Sequence, residues 1–352
     1  MLYPLMRPVL FGLDAERAHG LSLCALDAAY RSGALPLLAG RLPMTPVEAM
    51  GLRFPNPIGL AAGLDKNASH IDALSHLGFG FIEVGGVTPR PQPGNPKPRV
   101  FRLPEAEAII NRLGFNSDGI DAFVANLERT RWRGVVGVNL GKNKDTPLDR
   151  AHEDYIASLE RVYPLVSFAT VNVSSPNTAN LRQLQDADEF SRLLERMSEA
   201  RKRLADKHGK YLPLAVKIAP DIDDAQITAM AQIAIAKKMD AIIAINTTVA
   251  RDAVKHLRNG DETGGLSGSP LRARSIEVIA KLARVLDGAL PIIGVGGIMT
   301  PEHVREKFDA GATLVQLYTG MVYHGPALIG ELVRSVAAGK SRGEPQPRSR
   351  TA

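Results

Sequence analysis

The chain has 352 residues, 45% of them apolar, which supports a substantial core in one large domain or two modest ones and excludes wholesale disorder. Its net charge of +6 comes from scattered Lys and Arg without a basic block, and only 5% of residues are aromatic, which argues against a base-stacking nucleic-acid platform. A single cysteine, Cys24, excludes an internal disulfide and a zinc site, and no run of eighteen apolar residues is present to cross a bilayer.

Leu5 to Leu13 is a short apolar segment, and Met1 to Leu13 holds no signal-peptide cleavage pattern. Asp14 then reads as a helix N-cap, with Ala18, Leu21, Ala25 and Ala28 along one side and Gly33 as a stop. Two short helices with this much apolar surface make an interfacial patch; the plainer alternative is a helix pair that plugs the domain behind it. His70 and His76 lack a metal-ligand partner and read as surface helix positions, so no metal site is expected. From residue 56 onward short apolar runs alternate with longer amphipathic stretches. The strand-like runs are Ile58–Ala62, Phe81–Val84, Val135–Leu140, Ala169–Val173, Leu214–Ile218, Ala241–Ile245, Ile292–Val295 and Leu314–Leu317. Between them, Asp118–Arg129 carries the helical stripe Ile120, Phe123, Val124 and Leu127. Asp223 begins a helix with Ile227, Met230 and Ile233, and Thr300 reads as the N-cap before Pro301.

Eight strands alternating with helices predict an α/β fold, a closed (β/α)8 TIM barrel with a small N-terminal helical extension. An open doubly wound sheet is the alternative, but it wants a Gly-x-Gly-x-x-Gly turn that Gly59–Lys66 does not supply. The predicted domains are 1–40 for the extension, 41–338 for the barrel and 339–352 for a Pro-, Arg- and Ser-rich disordered tail.

In a barrel, ligand groups sit at the C-terminal ends of the strands. Nearly every predicted strand here ends in polar or glycine-rich residues. Gly296-Gly297 and Tyr318-Thr319-Gly320 follow strands seven and eight, the common phosphate position of this fold, and Gly264–Gly268 reads as a flexible stretch that lets backbone approach a ligand. Lys217 stands inside an apolar strand pattern, where a buried ammonium needs an anionic partner or a ring on which negative charge develops; a reduced flavin is such a ring. The run Thr170–Thr178 passes from β-branched residues into Asn172, Ser174, Ser175 and Asn177, uncharged groups suited to holding a flat polar molecule and moving one of its protons. Ser175 has no nucleophile elbow around it, so acyl transfer is a poor reading and proton acceptance in a dry site a better one.

Six stretches together carry a family resemblance: Gly59-Leu-Ala-Ala-Gly-Leu-Asp-Lys66, Val87-Thr-Pro-Arg-Pro-Gln-Pro-Gly-Asn95, Asn111-Arg-Leu-Gly-Phe-Asn116, Asn172-Val-Ser-Ser-Pro-Asn-Thr178, Gly264–Gly268 and Gly294-Val-Gly-Gly297. Over almost its whole length the chain resembles dihydroorotate dehydrogenases of the membrane-associated, quinone-dependent class. The resemblance implies an FMN barrel that oxidises dihydroorotate to orotate in pyrimidine synthesis and passes the electrons to ubiquinone or menaquinone. It implies a peripheral location on the cytoplasmic face of the inner membrane, reached through the N-terminal helices. Carried over by position, Ser175 is the base for the C5 proton while C6 gives its hydride to the flavin. Substrate is implied at Lys66, Asn111, Arg112, Leu113, Gly114, Phe115, Asn172, Asn177, Asn246 and Thr247. FMN is implied at Ala62, Gly63, Leu64, Asp65, Lys66, Gly86, Asn139, Asn172, Lys217, Ile245, Gly268, Gly297, Tyr318 and Thr319, and the quinone at Arg17, His19 and Arg102. Two departures stand out: Gly86 and Ile245 occupy positions where the family usually has threonine, which implies altered flavin contacts. A soluble enzyme using fumarate or NAD is the competing reading, but that class uses cysteine where Ser175 stands. A barrel that only binds a phosphorylated ligand is the non-enzymatic one.

Overall fold

The computed structural model describes residues 3–35, 42–178 and 180–341. In chain order, helices α1 (Tyr3–Gly12) and α2 (Ala15–Arg31) precede the strands β1 (Val47–Ala49), β2 (Leu52–Phe54) and β3 (Ile58–Leu60). Next come α3 (Ile71–Ser75), β4 (Phe81–Val87), β5 (Val100–Leu103), β6 (Ala108–Asn111), α4 (Ile120–Arg129) and β7 (Val135–Leu140). Then follow α5 (Ala151–Val162), β8 (Phe168–Asn172), α6 (Ala187–His208), β9 (Leu214–Ile218), α7 (Asp224–Ala236) and β10 (Ala241–Ala244). The chain continues through β11 (Gly265–Gly268), α8 (Arg272–Leu286), β12 (Ile292–Val295), α9 (Pro301–Asp309), β13 (Leu314–Leu317), α10 (Thr319–His324) and α11 (Ala327–Ser341).

Strands β10-β12-β13-β3-β4-β7-β8-β9 close into a barrel whose pairs are all parallel, so the alternation of runs and stripes specifies a TIM barrel as expected. Both faces of each strand are buried, which is why the strands read as largely apolar runs. The inward set includes Phe81, Phe168, Ala215, Ala241, Ile243, Ile293 and Leu314. The outward set packs on helices, with Ile120, Phe123, Val124 and Leu127 of α4 all buried. Phe54 meets Phe81 edge-on at 5.1 Å, so the β1–β2 hairpin closes the N-terminal end of the barrel.

Asp223 caps α7 with a reciprocal capping box to Gln226. Thr300 holds the N-cap position of α9, but its hydroxyl makes no capping bond. Asp14 caps α2 through the N–H groups of Glu16 and Arg17, and Gly33 follows the helix with φ +73°. Of the apolar side of α2, Ala18 is buried. Leu21 is 56% exposed, and Ala25 and Ala28 are exposed too. The packed side instead runs through Glu16, His19, Leu23, Asp27 and Tyr30, where ion pairs alternate with apolar contacts. Glu16 pairs with Arg99 at 2.9 Å, Asp27 with His70 at 2.7 Å, and Tyr30 lies against His76. His70 and His76 accordingly flank α3 as half-buried bridges to α2, not as surface positions. The last helix also runs past the expected start of the tail to Ser341; residues 342–352 lie outside the described residues.

A second small sheet, β11-β6-β5, is antiparallel and lies over the C-terminal mouth of the barrel. Gly264–Gly268 is thus mostly strand rather than flexible loop. Its glycines serve close packing, since a Cβ on Gly265 would lie 1.9 Å from Thr247 Oγ1.

Candidate active site

A cavity of about 1200 Å³, counting its open mouth, sits at the C-terminal end of the barrel under the small sheet. The strand ends feed it in turn: Ala62, Gly63 and Lys66 after β3, Gly86 on β4, Asn139 on β7, and Asn172, Ser175 and Asn177 at and after β8. Lys217 projects from β9, Ile245, Asn246 and Thr247 follow β10, Gly297 follows β12, and Tyr318 and Thr319 follow β13. Asn111, Leu113, Gly114, Phe115 and Gly268 come down from the covering sheet and its loops. Residues far apart in sequence therefore line one space, as the barrel geometry requires.

Six expected site residues do not line it. Leu64 and Asp65 turn away: Leu64 is core, and the Asp65 carboxylate accepts from the N–H groups of Ser69 and His70. Arg112 is drawn out by its ion pair to Glu262 at 2.6 Å and stacks over Phe101. Arg102 donates to the carbonyls of Leu10, Phe11 and Leu13 and lies over the Phe11 ring, holding α1 to the small sheet. Arg17 is exposed on α2. His19 packs behind the cavity beside Lys66, and burial first, then the Lys66 charge, lowers its pKa to about 4.

The floor of the cavity is a directed chain of hydrogen bonds. Asn246 Nδ2 donates to Ser174 Oγ at 3.0 Å, and Ser174 Oγ donates to Asn172 Oδ1 at 2.9 Å. Asn172 Nδ2 donates to Asn139 Oδ1 at 2.8 Å, and Asn139 Nδ2 donates to Glu83 Oε1 at 2.8 Å. Gln316 Nε2 donates to the other carboxylate oxygen at 2.7 Å. Lys217 neighbours Asn172 across the β8–β9 ladder. Burial lowers its pKa, opposed by the charge of Glu83, and its ammonium makes no hydrogen bond among the described residues. Burial likewise lowers Lys66 to about 8, against the pull of Glu16.

Ser175 is 8% exposed, and its Oγ accepts from the backbone N–H of Asn177 at 3.2 Å. The loop is clamped by Arg182, whose guanidinium donates to the carbonyls of Ser174 and Thr247 and pairs with Asp221. Asn177 Oδ1 and Gln316 Oε1 are buried without a hydrogen-bond partner among the described residues, so the cavity walls keep polar capacity for a ligand.

These features fit a flat, anionic-phosphate cofactor. Gly268, Gly296 and Gly297 all take positive φ, and a Cβ on Gly297 would lie 2.6 Å from the Arg272 Cα, so bare backbone lines this end of the cavity. Gly86 has a different reason to be small: a Cβ there would meet the Phe115 ring at 2.7 Å. Phe115 thus fills the space that a threonine side chain would need. Ile245 is buried at the end of β10.

Reasoning from sequence missed Glu83, Gln316 and Arg182. Glu83 and Gln316 carried the signal that singled out Lys217, a polar residue inside an apolar strand run.

The family model for dihydroorotate dehydrogenase matches residues 44–339. Among similar proteins, the dihydroorotate dehydrogenase (quinone) of Chromobacterium violaceum is 58% identical over 337 residues, covering 96% of this chain and 98% of that protein. The enzyme of the same name from Burkholderia ambifaria is 57% identical over 336 residues, covering 96% and 97%. Among solved structures, DHODH from Eimeria tenella in complex with ferulenol superposes with a TM-score of 0.84 at 35% identity, covering 95% of this chain and 96% of that one.

Proposed function

The chain belongs to the dihydroorotate dehydrogenase family, and from that membership and the cavity's geometry we infer its reaction. It oxidises dihydroorotate to orotate in pyrimidine synthesis, with FMN as hydride acceptor and a quinone as the final acceptor. The observation that carries this reading is the meeting, in one cavity, of Ser175, a set of carboxamides and the buried Lys217.

Ser175 takes the C5 proton of the substrate as its own hydroxyl proton passes to water. The hydroxyl sits in a nearly dry pocket, held in place by the Asn177 N–H and by the Arg182 clamp on its loop. Asn111, Asn172, Asn177 and Asn246 read the imide edges of the ring with paired donors and acceptors. The free Asn177 Oδ1 is suited to a ring N–H. Leu113, Gly114 and Phe115 cover the substrate and exclude water, and Thr247 closes the far side. Lys66, an ammonium below about pH 8, meets the substrate carboxylate or the cofactor. Ala62, Gly63, Gly86, Asn139, Lys217, Ile245, Gly268, Gly297, Tyr318 and Thr319 hold FMN, with its phosphate against the Gly268 and Gly297 backbone. Leu64 and Asp65 serve through the main chain: Asp65 O accepts from Gly85 N–H at 3.0 Å and so shapes the rim.

The quinone approaches between the extension and the barrel. His19 and Arg102 support this reading by lying where α2 and α1 meet the barrel, while Arg17 is on the exposed side of α2. Residues 1–40 act as a membrane-contacting unit and the barrel as the catalytic one. Leu5, Met6, Val9, Leu13 and Leu21 are exposed, a cluster suited to a lipid surface. No helix among the described residues is long and apolar enough to cross a membrane. Peripheral attachment at the cytoplasmic face of the inner membrane follows from this reading. The Ser175 side chain and the quinone in the relatives' names both stand against the fumarate- or NAD-using alternative.

Anaerobic dihydroorotate should bleach the purified yellow protein, and a ubiquinone analogue should recolour it while fumarate and NAD do not. A folded protein without flavin absorbance contradicts the reading.

A further inference from the structure

We propose that Glu83 is a positioning residue whose buried carboxylate orients the carboxamides on the cavity floor and balances the charge of Lys217. The proposal rests on the FMN reading above. Strand alternation turns Glu83 inward from β4, above Phe81. It is wholly buried and does not itself line the cavity, but Asn139, Gln316 and Lys217 all do.

An ionised carboxylate only accepts hydrogen bonds. Both amides facing Glu83 must therefore present their NH2 groups to it. Asn139 then has only its Oδ1 to offer upward, so Asn172 must donate to it, which leaves Asn172 Oδ1 to accept from Ser174. One carboxylate thus sets the polarity of every group as far as Asn246. Gln316 shows how firmly this is enforced. It keeps its NH2 on Glu83 although its own Oε1 is left buried without a partner. Reversal would set a carbonyl against a carboxylate. Among the described residues, Glu83 also supplies the charge that opposes the effect of burial on Lys217. Removing it leaves an uncompensated cation beside a ring that becomes more negative when reduced.

The test is the midpoint potential of bound FMN in Glu83→Gln and Glu83→Asp holoenzymes. Glu83→Gln should favour the reduced form at least tenfold, about 30 mV for a two-electron couple, while Glu83→Asp stays near the unsubstituted enzyme. An unchanged potential in Glu83→Gln with FMN bound overturns the proposal. If Glu83→Gln takes up no FMN, thermal melting without FMN decides. The double variant Glu83→Gln/Lys217→Gln should then melt above the single one, because no buried charge stands alone. A double variant that melts no higher overturns the proposal, and this comparison holds whether or not the FMN reading does.

Discussion

The Asn177 side chain donates from Nδ2 to Asn111 Oδ1 at 3.1 Å, tying the loop that carries Ser175 to the small sheet over the barrel mouth. This bond leaves Asn177 Oδ1 buried and free. Asn177→Leu removes both functions and strands the Asn111 oxygen. A lost hydrogen bond with an unpaired buried partner costs about 1–3 kcal/mol, roughly 5- to 150-fold in affinity. Titrating orotate against the flavin absorbance of the variant should show weakening in that range with FMN still bound; wild-type affinity would remove Asn177 from substrate recognition.

Gly297→Ala tests the phosphate end. Its φ of +72° disfavours a side chain, and the added Cβ meets backbone of α8, which cannot swing aside. FMN affinity should fall about tenfold or more, ~1.4 kcal/mol, read as the ratio of flavin to protein absorbance after gel filtration. Full retention of FMN would place the phosphate elsewhere.

His19 gives the fold a pH dependence of known sign. Burial, then the charges of Lys66 and His70, hold its pKa at about 4, below the ordinary 6.5. Between these values the unfolded chain binds the extra proton, so stability is full above pH 6.5 and declines as pH falls toward 4. The loss attributable to His19 is on the order of 3 kcal/mol at most. Urea midpoints measured from pH 7 to 4 should fall less steeply in His19→Gln. Parallel curves for the two proteins would contradict the buried, neutral imidazole.

The exposed cluster on α1 predicts lipid binding. Leu5 is 76% and Val9 69% exposed, one turn apart on a helix whose other side is tied to Val322 and Tyr323. Replacing both with Asp should reduce co-sedimentation with phosphatidylglycerol vesicles at least tenfold, about 1.4 kcal/mol, with FMN content unchanged. Undiminished sedimentation would move membrane contact away from α1.

The barrel was legible because its strands are buried on both faces and its helices carry regular stripes. Strands β5, β6 and β11 were not, since four-residue antiparallel strands over a cavity mouth leave no period to read. The strand-end polar groups announced the site for the same geometric reason that places them there. Arg112 fell outside it because a guanidinium follows its best carboxylate, Glu262, which sequence spacing does not reveal. The packed face of α2 was not legible because it is built partly of ion pairs, and apolar periodicity finds only apolar faces. Glu83 lay unremarked within a strand run, its meaning visible only once Asn139 and Gln316 were seen to meet on it.

Stopped-flow reduction of the flavin by dihydroorotate, without oxygen or quinone, tests the assignment of Ser175 most directly. General-base catalysis contributes about 10²–10⁴-fold, so Ser175→Ala should bleach slower by that factor while its FMN content and orotate affinity hold. Equal bleaching rates in the two proteins would contradict the account.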